Sequence, residues 1–339
     1  MRFLLQAATA FAATAGYVAA QTPGSGQPQP KVQVINKSNY ASNGAFRLHS
    51  LEFPLAGGFA TAAAAQQTLK TLVWTREVYG DNGNDKSTIT EIPIKYGIVL
   101  PDMTNSPPTA IPFTGQSIAF PPVPGSPFAG VLVRFNPQGQ FGGWAPKILQ
   151  AAAALNSTED QVNLLKQQSN FLQPHFDIHF YYKSAQPSLI SCSPGPAPPN
   201  CAAEELQAFS KPPSSPSLLP DNFLPSGLIT AVPAIGAHAF AKDIPWTSEL
   251  FQQQPAVGYS YFNGDVTSVS VLMHLGLLKK SMGTVAQPAP RAFYKLPAPS
   301  AFPGSSSVRF PNMWSIKHEA DKNRFIIVLR TSTSLKSLN

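Results

Sequence analysis

The run Pro174-His175-Phe176-Asp177-Ile178-His179-Phe180-Tyr181-Tyr182 decides how this chain folds. Taken with a period of two, Phe176, Ile178, Phe180 and Tyr182 form one apolar, aromatic face, while His175, Asp177, His179 and Tyr181 form the other. That alternation predicts a strand whose greasy side packs and whose titratable side lines a polar barrel interior or cleft, where small barrels carry their binding sites.

Working outward, the same kind of pattern recurs. Val32 to Ile35, Leu72 to Val78, Ile89 to Leu100, Val131 to Phe135, Val257 to Phe262, Val266 to Met273 and Phe325 to Leu329 are β-branched or aromatic runs bounded by Gly, Pro, Asn or Asp. Asn82-Gly83 and Asn263-Gly264 are hairpin signals, the second joining two of these runs directly. Helix signals are few: a capping box at Ser157 and Asp160 leading through Phe171, and an Ala-rich stretch from Phe59 to Leu69. The Pro/Ser-rich stretches Ser184 to Ser226 and Ala286 to Ser307 read as long surface loops. The expected fold class is mainly β: an antiparallel β-barrel or sandwich-like single domain with long loops and one or two short helices.

The titratable face carries whatever chemistry the chain has. On a regular strand His175 and His179 stand about 13 Å apart, too far to share a metal, whereas Asp177 lies about 6.7 Å from either and can converge with one. His238, reached through Pro233 and Gly236 along what reads as a tight backbone path, is the best donor from elsewhere. Three readings stand side by side. His175, Asp177, His179, Tyr181 and His238 form a hydrogen-bonded polar layer or pocket, with Asp177 orienting an imidazole. Alternatively Asp177, His179 and His238 hold a divalent metal ion, the one cofactor the sequence admits. In the third, the cluster performs acid/base catalysis; as an enzyme holding the metal at Asp177, His179 and His238, it has His175 or Tyr181 as the acid/base partner. His274 reads as a strand-end residue, and His49 and His318 lie among ordinary polar neighbours.

Composition sets the compartment. Arg2 followed by the apolar run Phe3 to Ala20, ending Val18-Ala19-Ala20 before Gln21, has the form of a secretory signal peptide. The expected organisation is a signal peptide at 1–20, a flexible leader at 21–30, a β-rich domain at 31–330 and a disordered tail at 331–339. Charged residues are 12% of the chain, about half the usual share, so Ser, Gln, Asn, Thr and Pro build the surface, as suits an extracellular protein. Cys192 and Cys201 are then expected to form a disulfide closing a short loop, contributing about 2.5 kcal/mol. Sequons begin at Asn36 and Asn156 and are available for N-glycosylation, as in a glycoprotein, if the host is a eukaryote.

The net charge of +7 comes from Lys and Arg scattered along the chain, with Lys279-Lys280 the only adjacent pair, so no basic stripe for nucleic acid is present. A small molecule, a cell-surface ligand such as an acidic glycan, or a second copy of the chain remain as partners, and no run after the signal is long and apolar enough to span a bilayer.

Other motifs are absent. Gly115-Gln116-Ser117-Ile118-Ala119 lacks the final Gly of a serine-hydrolase elbow, Gly24-Ser25-Gly26 follows no strand, and Asp81 to Asp85 lacks the Gly and Glu of a calcium loop. The run at 174–182, the segment Pro233-Ala234-Ile235-Gly236-Ala237-His238, the hairpin Val257 to Val266 and Phe310-Pro311-Asn312-Met313-Trp314-Ser315-Ile316-Lys317-His318 together resemble a family of secreted proteins of unknown function typed by a thermophile protein. The resemblance spans roughly Phe46 to Thr331 and implies an extracytoplasmic, β-rich domain. Asn136 to Gln140 is similar to the family's Asn-Pro-x-Gly-His element, with Gln140 where His is usual. Ser270 to Met273 stands where members carry an acidic residue followed by Pro and Met, and Gly143 to Leu172 reads as an insertion.

Overall fold

The computed structural model describes residues 31–35, 44–54, 68–78, 94–102, 113–120, 127–136, 159, 173–182, 207–208, 210–227, 235–244, 247–301 and 310–331; for 31–78, 101, 113–119 and 134–136 the description is of the backbone. Among the described residues fourteen strands and two complete short helices follow one another as β1 (Lys31–Ile35), β2 (Gly44–Pro54), β3 (Thr68–Val78), β4 (Lys95–Pro101), β5 (Phe113–Ala119), β6 (Phe128–Asn136), β7 (His175–Tyr182), β8 (Phe223–Pro225), β9 (Ala237–Ala241), α1 (Ser248–Gln253), β10 (Ala256–Phe262), β11 (Asp265–His274), α2 (Leu275–Lys280), β12 (Ala292–Lys295), β13 (Pro311–Glu319) and β14 (Arg324–Thr331).

Two antiparallel sheets result, ordered β1-β2-β3-β4-β14-β13-β12 and β5-β6-β7-β11-β10-β9-β8. Among the described residues neither closes on itself, so of the two expected architectures the protein is a sandwich. Its core lies between the sheets. Phe176, Ile178, Phe180 and Tyr182 of β7 meet Tyr96 and Ile98 of β4, Trp314 and Ile316 of β13, and Phe325, Ile327 and Leu329 of β14, all nearly without solvent exposure. Aromatic rings join the layers, Tyr96 standing edge-on to Phe128 at 4.9 Å and Phe128 stacking on Tyr182 at 5.5 Å. Each such side chain contributes about 1.5–3 kcal/mol by leaving water.

The hairpin expected at Asn263-Gly264 joins β10 to β11, both residues having positive φ, 51° and 87°, as the favoured two-residue turn requires. One irregularity follows it. Tyr261 pairs with Val266 but Ser260 pairs with Ser268, so Thr267 is an extra residue in β11. Val266 therefore faces the core, and after the bulge Val269, Val271 and Met273 do, while Ser268 and Ser270 point outward.

Several expectations change. The Ala-rich stretch does not end as a helix, because Thr68 and Leu69 pair with Pro54 and Phe53 and open β3; residues 59–67 lie outside the description. The expected loop at 286–307 contains edge strand β12, which needs pairing on one side only and stacks Tyr294 on Trp314 at 4.6 Å. The loop at 184–226 likewise contains β8 and a 3-10 turn at Pro216–Leu218, begun by Ser215. Apart from helical Glu159, the segment after Ser157 lies outside the described residues. So do the signal run, the leader, residues 332–339, both cysteines, both sequon asparagines and Asn82-Gly83. Among the described residues no helix is long and apolar enough to cross a membrane.

Candidate functional site

Strand β7 is central in its sheet, between β6 and β11, and all eight of its residues are buried. The greasy face, not the titratable one, lines the space between the layers. His175, Asp177, His179 and Tyr181 instead lie on the outer face of the sandwich. Register puts Ser270 beside His179, Ser268 beside Tyr181 and His274 beside His175, and extends the Tyr181 row through Ser260 to His238.

Described elements cover both ends of this face. Phe251 of α1 packs on Phe240, Ala256 and Leu272, and its ring stands edge-on to His175 at 5.3 Å and at 5.6 Å from His274. At the other end Ile235 packs on Leu132 and Tyr181. As a result His175 and His179 are 0% exposed, Asp177 and His238 1%, and Tyr181 4%, so these residues form a closed layer.

Within it, His179 Nε2 lies 2.9 Å from Asp177 Oδ2. The other ring nitrogen, Nδ1, is 3.4 Å from the hydroxyls of both Ser260 and Ser268. Hydroxyls serve either state of the imidazole, donating to a bare Nδ1 or accepting from a protonated one. His238 completes the layer, its ring 5.6 Å from that of His179 and stacked on Phe240. Burial alone would raise the Asp177 pKa, but the positive field and contact of His179, with His175 and His238 behind it, hold the carboxyl down at about 2. Among the described residues Oδ1 of the same carboxylate has no hydrogen-bond partner, and neither does the Ser270 hydroxyl.

His238 arrives here for the reason its sequence context suggested. Gly236 has φ +109°, and a Cβ on it would stand 2.5 Å from the carbonyl oxygen of Tyr261. Only glycine allows β9 to begin so close to β10. The Thr267 hydroxyl fixes the same approach by donating to the Ile235 carbonyl at 3.1 Å.

Metal binding by Asp177, His179 and His238 was the sharper expectation. The fold brings the three together on one face, but among the described residues no three His, Cys, Asp or Glu side chains are arranged as a metal-holding group, and His179 turns Nε2 to Asp177.

Two histidines carry more structure than the sequence suggested. His274 is the N-cap of α2, its Nδ1 accepting from the Gly276 N–H at 2.8 Å. Burial, then His175, Lys279 and Lys280, push its pKa down to about 4. A base whose folded pKa lies below its unfolded value near 6.5 contributes stability that is complete above about 6.5 and lost as pH falls through about 4. Amide protection at Gly276 and Leu277 is therefore expected to fall across that window, and His274→Ala to abolish the dependence; exchange protection measured by NMR checks this. His318 is also buried. Its Nε2 lies 3.3 Å from Asp102 Oδ2, and its Nδ1 accepts from the Gly283 N–H at 3.3 Å. The alternation Trp314, Ile316, His318 along β13 was the signal that could have found it.

No family model, curated protein or solved structure matches this chain.

Proposed function

We propose that the chain is an exported β-sandwich acting as a binding or structural module, in which the His/Asp layer fixes the register of the strands that carry it. The observation behind this is the Asp177–His179 pair, 2.9 Å apart, with side-chain exposures of 2% and 0%. Buried, paired and flanked by serines, it has the features of a polar layer that specifies one arrangement of strands. Export is supported by the run from Phe3 to Ala20 and by the low charge.

Acid titration tests the layer. The folded pKa of Asp177, about 2, lies below its ordinary value of 3.8, so the carboxylate's contribution is full above about pH 4 and lost as pH falls toward 2. That contribution is about 2 kcal/mol. Asp177→Asn is expected to be less stable at neutral pH and to show a flatter loss between pH 4 and 2. An unaltered profile in chemical denaturation would sink the reading.

A second reading, a metal-dependent extracellular enzyme, draws on one observation: Oδ1 of an ionised carboxylate is buried near two imidazoles without a hydrogen-bond partner among the described residues, though a cation there would require the side chains to rearrange, His179 first turning from Asp177. Asp177, His179 and His238 would hold it, and the ion would supply Lewis-acid chemistry. Metal analysis of protein purified without a histidine tag decides between the two. A stoichiometric ion lost in His238→Ala favours the enzyme, and metal-free folded protein leaves the polar layer.

A further inference from the structure

Three of the sequence's scattered cations meet in space. On the outer face of the sheet β1-β2-β3-β4-β14-β13-β12, a concavity of about 270 Å³ is lined by Lys95, Arg291 and Arg330 around a floor of Phe293, Met313 and Val328. Four strands contribute these residues. Register runs Lys295, Met313, Arg330 and Lys95 across β12, β13, β14 and β4, with Phe293, Ser315 and Val328 in the neighbouring row. Among the described residues no carboxylate lines the hollow. Glu319 acts on Arg291 but is itself bound by Arg324 at 2.6 Å and by Lys317 and Lys322 at 3.3 Å.

Two of the three apolar side chains in this floor are open to water, and Val328 is buried. Phe293 is 59% exposed and Met313 36%, both among the few large hydrophobic residues that the described surface shows. An exposed ring sharing a hollow with guanidinium and ammonium groups suits a ligand with an apolar flat side and anionic substituents. The row from Lys295 to Lys95 spans three strand spacings, about 14 Å, and Arg291 extends the positive area further along β12, so one small anion would leave most of it unused.

We infer that this face binds an anionic polysaccharide, a sugar ring lying on Phe293 while carboxylate or sulfate groups reach Arg291, Arg330 and Lys95. The C–H side of a sugar ring is apolar and stacks on an aromatic face, and guanidinium groups pair with oxyanions through two parallel hydrogen bonds. The choice of ligand rests on the reading of the chain as an exported binding module. The surface itself does not involve the His/Asp layer.

Titration calorimetry with heparin and with polygalacturonate, and an uncharged glucan as comparison, tests this on the whole folded chain. Wild type is expected to bind at least one of the two polyanions and not the glucan. Arg291→Ala/Arg330→Ala is expected to weaken binding tenfold or more, and Phe293→Ala several-fold, with unchanged melting temperatures since these side chains are exposed. Lys279→Ala/Lys280→Ala removes the same charge from α2 and is expected to leave binding within about twofold. Equal loss in the two double variants overturns the inference by reducing it to net charge. So does absence of polyanion binding by wild type, or binding only to anionic phospholipid vesicles. Asp177→Asn, still folded, is expected to bind as wild type, so failure of this surface and failure of the polar-layer reading remain separate results.

Discussion

Replacing His179 by Ala is expected to cost 3–5 kcal/mol, lowering the melting temperature by on the order of 10 °C. The magnitude comes from what remains. Without the imidazole, the Asp177 carboxylate stays buried with its main opposite charge gone, and the hydroxyls of Ser260 and Ser268 lose the nitrogen they face. Truncating one member of a buried pair is worse than removing both, because the survivor keeps its full desolvation cost. Asp177→Leu/His179→Leu should therefore recover part of the loss, and a double-mutant cycle with Ala at each position should report a coupling of more than 1 kcal/mol. Denaturant titration of the four proteins measures it. A cost below about 1 kcal/mol for His179→Ala would mean that the pair does not hold the layer together.

The second large effect is expected at Gly236. With φ at +109° and an added Cβ only 2.5 Å from the Tyr261 carbonyl oxygen, Gly236→Ala suffers both backbone strain and a clash against a buried, strand-paired backbone that cannot move aside. Each effect is worth about 1–3 kcal/mol, so a loss of about 3 kcal/mol or more is expected. Gly227→Ala separates the two. There φ is +69° and nothing lies within 4 Å of the added methyl, so strain acts alone and about 1 kcal/mol is expected. Since His238 follows Gly236 by two residues, the displacement should also change the His238 ring environment in NMR spectra, while Gly227→Ala leaves it alone.

What the sequence made legible follows from how strongly each segment alternates. β7 was plain because Phe, Ile, Phe and Tyr alternate with His, Asp, His and Tyr without a break, and β10 and β11 because Asn263-Gly264 permits little except a tight hairpin. β9 reads Ala-His-Ala-Phe-Ala, and alanine carries almost no strand signal; small side chains are needed there by packing, which a single sequence does not display. β12 and β13 contain or adjoin prolines, which edge pairing and a register shift near Pro311 accommodate. α1 and α2 are six residues each, too short for periodicity, and their caps, Thr247 and His274, were visible only as ordinary residues.

The site was legible in membership more than in setting. His175, Asp177, His179, Tyr181 and His238 do share one face, as alternation and the path through Gly236 implied. That this face lies outside the sandwich and is nonetheless sealed depends on Phe251 and Ile235, residues whose roles arise from tertiary packing. Ser268 joined the layer unseen because its orientation depends on where β11 gains a residue, whereas Ser260 alternates with the core residues Tyr259 and Tyr261 along β10.

That extra residue, Thr267, works as a frameshift in the strand's alternation. Before it, the even-numbered Val266 belongs to the core; after it, the odd-numbered Val269, Val271 and Met273 do, while the even numbers turn to the outer face, Ser268 and Ser270 in the polar layer and Leu272 in the apolar patch under Phe251. The strand thus carries two grammars, and a serine at an even position is an error at 266 and conforms to the rule at 268 and 270. Any lineage that lost this one residue would have to rewrite either the hairpin or the whole serine-bearing half of the strand to restore sense.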